Sequence, residues 1–309
     1  LKNKKVPIAD AGFNDWLSYV EGYVELFRRG KNIAFNELVS RHIHSATRSA
    51  AKVVICSPHP DDETLTGLLP LRLLQESGAV VVNLAVTLGS DPHRKNDRQK
   101  ELHAACSVLG FQLHVFDNPP DFNKKNPWEL SGNSDEWRQQ IDNVISFFEQ
   151  EKPAMVICPH GGDGHPAHAG TNFLILQALL HFSTIANKEI IFAESEFWQP
   201  LKNPNVLVGA HAGHVAKLVC ALAQHRGEMS RVPYHLYLPA RMMDNVRRGG
   251  ELVKGYGQTG ADFLFGELYR LSVIKKGRQV SAFENEQVLG PELDLGLSVF
   301  KRNLLAQFR

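Results

Sequence analysis

This 309-residue chain has no excess of charge of either sign. Its formal net charge is +1, so neither a nucleic-acid-binding surface nor an anionic membrane surface is implied. It has no uninterrupted apolar run near the roughly 18 residues that a membrane helix needs, so no span is expected. The start, "LKNKKVPIADAG", has no apolar core of the signal-peptide kind. Its four cysteines, Cys56, Cys106, Cys158 and Cys220, form no CxxC pair and sit in apolar stretches. They read as small buried hydrophobes, which implies reduced thiols and a cytoplasmic setting. There is no GxSxG elbow, no phosphate-binding loop, no repeat and no low-complexity segment.

What is present is an alternation. Short apolar runs fit for strands buried on both faces ("KVVICSPH", "AVVVNLAVTLG", "FQLHVFDNP", "PAMVICPH", "EIIFAESEF") are each followed by a stretch with helical spacing, except the last. Such alternation predicts an α/β fold, a Rossmann-like three-layer sandwich with a largely parallel sheet. Residues 1–50 read as an N-terminal helical extension, with one helix over "FNDWLSYVEGYVELFRRG" and a second over "KNIAFNELVSRHIHSATRS". Residues 51–280 form the α/β domain. Past residue 200 the rhythm weakens: two more helices are expected, then "GELYRLSVIKKG" as a strand, placed at an edge. Residues 281–309 read as a tail packed on the domain, loop-like over 281–294 and helical over "LSVFKRNLLAQFR".

Two turns carry chemistry. "CSPHPDDETLTG", residues 56–67, places His59, Asp61, Asp62 and Glu63 where the first strand meets a helix. Charge there is costly unless something binds it. About a hundred residues on, "MVICPHGGDGHPAHAGTN" repeats the design, and the two strands share "VIC". His59 and Asp62 are three apart, as are His165 and His168, so each pair can turn to one side of a helix entry. In a doubly wound sheet the first and fourth strands are often neighbours at the switch point, so both turns face one crevice. Imidazole plus carboxylate suits a divalent metal, most often zinc. Either turn alone reads as dipole complementation or helical decoration; together they point to a metal site. Arg98 and Glu63 are further pocket residues on this reading, and His160 and Asp163 either line the pocket or shape the glycine-rich turn. His211, His214, His225 and His235 read as surface or packing residues. The pocket walls are expected from loops, chiefly "DPHRKNDR" and residues 118–134.

These motifs resemble the LmbE/PIG-L family of metal-dependent N-deacetylases, which remove acetyl groups from N-acetylglucosamine-type amino sugars. The resemblance extends through "TLG" at 87–89 and "RQKELHAACSVLG" at 98–110 to "KLVCALAQHRGEM" and "FGELYR", about residues 52–271. It implies zinc, or another divalent metal, on His59, Asp62 and His168. It implies Asp61 as general base and a protonated His165 as oxyanion stabiliser or acid. The implied substrate is a small amino-sugar conjugate, with no nucleic acid partner, and the chain leaves room for a homo-oligomer. Ala167 departs from the family, which often has aspartate between the two histidines. Either Asp163 takes over that residue's task of keeping the His165 ring protonated, which is the favoured reading, or His165 acts with a lower pKa. Other functions remain open on this reading: another metal-dependent amidase or esterase, a phosphoesterase, or a non-catalytic sugar- or metal-binding protein.

Overall fold

In a computed structural model, the described residues are 11–35, 51–117, 122, 135–283 and 285–296, with the side chains of 11–15 excluded. The expected second N-terminal helix, the C-terminal helix and most of the 118–134 wall lie outside them. The chain divides into two compact units, Leu1–Asn36 and Glu37–Arg309. The first holds helix α1, Ala11–Lys31, whose last turn carries Arg28, Arg29 and Lys31 where the helix dipole is negative. No helix among the described residues is long and apolar enough to cross a membrane.

The second unit is built on a nine-stranded mixed sheet among the described residues. Its parallel half runs β3-β2-β1-β4-β5, with β1 at Lys52–Ser57, β2 at Val80–Ala85, β3 at Gln112–Val115, β4 at Met155–Pro159 and β5 at Ile190–Ser195. β1 pairs with both β2 and β4, so the switch point falls between the two strands that share "VIC". The strands are apolar throughout because both faces are covered. Val53 and Ile55 enter one apolar cluster while Val54 and Cys56 enter the other, and Met155 and Ile157 oppose Val156 and Cys158 in the same way. Each such aliphatic side chain contributes about 1.5–3 kcal/mol of burial. The four cysteines are free: Cys56, Cys106 and Cys158 are buried and Cys220 is half-buried.

The helices follow as the spacing predicts. A short turn of helix, α2 at Asp62–Leu65, leads into α3 at Leu68–Ser77. Pro70 does not break α3, because it lies in the first turn, where its missing N–H has no intrahelical partner anyway. Gly67 separates the two helices; a Cβ there would collide with the Glu63 carbonyl. Next come α4 (Lys95–Leu109), α5 (Asp135–Glu151) and α6 (Pro166–Ile185).

The C-terminal half corrects the sequence reading. β6, Val206–Ala210, was not expected at all. After it come α7 (Ala212–Leu222), α8 (Arg226–Arg231) and α9 (Tyr234–Leu252). β7, Phe265–Lys275, is no edge strand: it lies between β5 and β6, antiparallel to both. Its nine inner residues are buried except Arg270, as a central position demands. The stretch read as loop-like contains β9, Gln287–Leu289, which extends the sheet beside β6, while β8, Arg278–Ser281, returns along β7.

Candidate active site

A parallel sheet delivers every loop after a strand to the same edge, and the site assembles there. β1 supplies His59, Asp61 and Asp62; β2 is followed by Gly89 and Ser90; β4 leads to His165 and His168; β5 leads to Phe197 and Trp198. With Arg98 of α4, Glu228 and Arg231 of α8 and Tyr234 of α9, most of these line a cavity of about 180 Å³.

Local structure fixes each group. Asp61 has φ +115, a left-handed conformation rare for a side-chain-bearing residue, at a cost of about 1–3 kcal/mol. The turn is over-determined: the Asp61 carbonyl accepts from Thr64 and Leu65 backbone N–H groups and from Thr64 Oγ1 at 2.6 Å. The Asp61 N–H donates to Glu63 Oε2 at 2.9 Å. Asp62 Oδ2 accepts from the His59 backbone N–H at 2.8 Å and lies 3.4 Å from His59 Nδ1 and 3.5 Å from His168 Nε2. In the second turn, His165 caps α6: its Nδ1 accepts the Ala167 N–H at 3.2 Å, with Pro166 as first helical residue.

The electrostatics follow from burial and these contacts. Burial opposes charge on Asp62, but His168 and His59 outweigh it and hold its carboxyl down at about 2. Burial, and then the neighbouring Asp62, push the Asp61 carboxyl well above the usual range, with Arg98 pulling the other way. For His168, burial is outweighed by Asp62 and Asp163, and its pKa is raised. His165 goes the other way: burial, His59 and His168 press it down to about 4.

Two expectations meet different surroundings. His165 Nδ1 is an acceptor and burial, His59 and His168 depress the ring's pKa, so these contacts favour a neutral ring with its proton on Nε2. Asp163 raises the His165 pKa only as the last of several causes, and its described hydrogen bonds go elsewhere. Its Oδ1 accepts the His165 backbone N–H at 2.9 Å, and its Oδ2 accepts the Trp198 N–H at 3.0 Å while lying 3.6 Å from His168 Nδ1. Asp163 therefore orients His168 and anchors the aromatic loop. The Ala167 methyl is buried in the apolar cluster behind the turn, which is no place for an aspartate.

The donor set fits a metal ion. His59, His165 and His168 each offer a ring nitrogen, all within 4.8 Å of one another. His168 Nε2 is buried with no hydrogen-bond partner, a costly state that a cation would relieve, while Nδ1 faces Asp163. Asp62, ionised between two imidazoles, adds the carboxylate that neutralises charge.

Of the other sequence-derived pocket residues, Arg98 lines the cavity and donates to the Pro60 carbonyl at 3.0 Å. Glu63 and His160 do not line it. Glu63 is fully buried behind Asp61, bonded to His225 at 2.7 Å. His160 Nε2 lies 2.9 Å from the Gln199 carbonyl and ties down the loop after β5. His225, read as a surface or packing residue, is a fully buried partner of Glu63.

The sequence reading missed the far wall. Trp198, half exposed, stacks near the His165 ring at 6.2 Å and 21° between planes, and Phe197 stacks on His168 at 5.0 Å. The "EFW" that follows the fifth strand was findable by the strand-end rule. Glu228, Arg231 and Tyr234 come from a helical corner with no strand before it, and no motif announces them. Glu228 Oε2 accepts two bonds from Arg231, at 3.1 and 2.7 Å, and its Oε1 accepts one from Arg94 at 3.1 Å. From the expected "DPHRKNDR" wall, Arg98 reaches the cavity and Arg94 braces Glu228.

Residues 54–179 match the family model described as PIG-L: GlcNAc-PI de-N-acetylase. The 1D-myo-inositol 2-acetamido-2-deoxy-alpha-D-glucopyranoside deacetylase of Corynebacterium urealyticum is 26% identical over 156 residues, 40% of this chain and 46% of that protein. The chain thus spans about half the length of the curated relatives it matches. Among solved structures, N,N'-diacetylchitobiose deacetylase from Pyrococcus horikoshii shares the fold, with a TM-score of 0.54 and 18% identity over 82% of this chain and 92% of that one. The 4-carboxy-2-hydroxymuconate hydratase GalB of Pseudomonas putida shares it equally, with a TM-score of 0.54 and 14% identity over 72% and 95%. The matched stretch, residues 54–179, carries both histidine turns.

Proposed function

We propose that this protein is a metal-dependent N-deacetylase acting on a small amino-sugar conjugate. The observation that carries the reading is the pairing of a metal-fitting trio, His59, Asp62 and His168, with a buried carboxylate, Asp61, that holding the metal does not require. A pure binding protein has no use for Asp61 in a strained conformation beside the trio. The fold by itself does not choose the reaction, since a hydratase shares it. The names of the relatives, deacetylases of acetylated amino sugars, support the choice.

His59, Asp62 and His168 would hold the ion, with zinc the first choice for two imidazoles and one carboxylate. When bound, it supplies Lewis acidity and a water acidified to a pKa of about 7. Asp61 accepts the proton of the attacking water and returns it to the departing amine, which leaves acetate. Asp61 needs to be ionised for the first step, and a cation beside it opposes the burial that raises its pKa. His165 donates from Nε2 toward the oxygen where negative charge develops. A neutral imidazole suffices for that donation. Phe197 and Trp198 wall off water on the β5 side.

The test is free-amine release from a panel of N-acetylglucosamine conjugates, with zinc-loaded and chelator-treated enzyme. Zinc-dependent release of amine supports the reading. Hydration of an unsaturated acid with no amine release replaces it.

A further inference from the structure

We propose that His225 is a positioning residue that, through Glu63, holds Asp61 in its reactive conformation. The inference rests on Asp61 as the base. Two bonds make the relay: His225 Nε2 to Glu63 Oε1 at 2.7 Å, and Asp61 N–H to Glu63 Oε2 at 2.9 Å. Both side chains are 0% exposed, so no water replaces a lost partner from solvent. His225 Nδ1 is buried without a partner. An unpaired lone pair is tolerated there better than an unpaired N–H, so Nε2 carries the ring proton and donates to Glu63.

The strain at Asp61 gives the relay its purpose. A left-handed aspartate persists only where its surroundings fix it. The Asp61 carbonyl is fixed by the start of α2, but its N–H is fixed by Glu63 alone among the described contacts. Glu63 in turn has one side-chain partner among the described contacts, His225. Without His225 the buried carboxylate has no donor on its far side, and it turns away from the Asp61 N–H. The metal-fitting trio does not depend on this relay. Asp62 is held by the His59 backbone, and His168 by its place on α6 beside Asp163.

His225 lies outside the family-matched segment and immediately before α8, whose Glu228 and Arg231 form the cavity's far wall. One hydrogen bond thus registers that wall against the reactive turn.

The experiment compares wild type with His225→Ala and His225→Gln, whose amide can keep a donor near Glu63. Calorimetry measures zinc binding to the metal-free proteins, and kinetics use methyl N-acetyl-β-glucosaminide. For His225→Ala we expect zinc affinity within threefold of wild type, kcat down about 10²-fold and KM within twofold, as displacement of a catalytic group by about 1 Å produces. For His225→Gln we expect at least a tenfold recovery of kcat. If His225→Ala does not fold, His225→Gln is compared with His225→Leu, which fills the space without a donor. A folded, donor-free variant with kcat within twofold of wild type overturns the proposal. So does a loss of zinc affinity parallel to the loss of kcat, which marks a general collapse of the turn. If wild type deacetylates nothing, the functional reading fails separately, and a crystal structure of the donor-free variant decides. Asp61 leaving the left-handed region supports the relay, and an unchanged Asp61 overturns it.

Discussion

Asp62 Oδ2 lies 3.5 Å from His168 Nε2, a contact that joins the turn after β1 to the turn after β4. Neither turn holds a metal alone. The neighbouring of β1 and β4 at the switch point makes the site, and it makes the ligand set testable. His59→Ala, Asp62→Ala and His168→Ala should each lower zinc affinity by at least 10²-fold in calorimetry, because a three-ligand site cannot spare one. His165→Ala should keep zinc within a few-fold. A loss of zinc in His165→Ala with retention in Asp62→Ala would replace the trio with the three-histidine set.

Asp61 should separate from its neighbours. Asp61→Asn preserves shape and removes basicity, so zinc content should stay full while kcat drops about 10²–10⁴-fold. Metal analysis and turnover on the same preparation check this. Wild-type turnover by Asp61→Asn would place the base elsewhere.

Asp163 faces His168, and its effect should therefore appear in metal binding. A carboxylate behind a metal-binding imidazole fixes its tautomer and orientation. Asp163→Asn should weaken zinc binding about 10–100-fold. Calorimetry at fixed pH measures this directly. Unchanged affinity together with a shifted pH–rate profile would restore the sequence-based assignment of Asp163 to the His165 ring.

That reversal shows where the sequence is legible. The pair of "VIC" strands, the helix entries and their histidines follow from local pattern, and so did the crevice between β1 and β4. The direction of a side chain in the glycine-rich turn at 160–165 did not. Asp163 is two residues from His165 in the chain, yet the turn aims its carboxylate at backbone N–H groups and at His168. Long-range partners were equally hidden. Nothing local in "ALAQHRGEM" says that His225 meets Glu63, because that contact depends on how α7 packs on α2. β7 was mistaken for an edge strand because its central place is set by antiparallel partners on both sides. One of them, β6, is only five residues long, although "NPN" at 203–205 marks the turn before it.

Glu267 on β7 gives a pH prediction that is independent of the metal site. Its carboxyl is fully buried; Oε2 accepts the Leu68 N–H at 3.2 Å and bonds to Tyr269 Oη, while Oε1 has no partner. Burial raises its pKa to about 7, although Tyr269, Arg241 and the Leu68 N–H pull against the rise. Below the unfolded-state pKa of 4.5, both states are protonated and the group's contribution to stability is whole. Between there and pH 7 the unfolded chain ionises while the native state keeps its proton, so rising pH favours unfolding. Above pH 7 the loss is complete, at about 3 kcal/mol from 1.36 kcal/mol per pKa unit. Glu267→Gln carries no such charge and keeps an oxygen for the Leu68 N–H. Urea unfolding of both proteins from pH 4.5 to 8 should therefore show the variant gaining on wild type by about 3 kcal/mol as pH rises, with most of the gain between 5 and 7. Parallel stability curves for the two proteins across that range would mean that Glu267 is ionised in the folded state and that Tyr269 and Arg241 outweigh its burial.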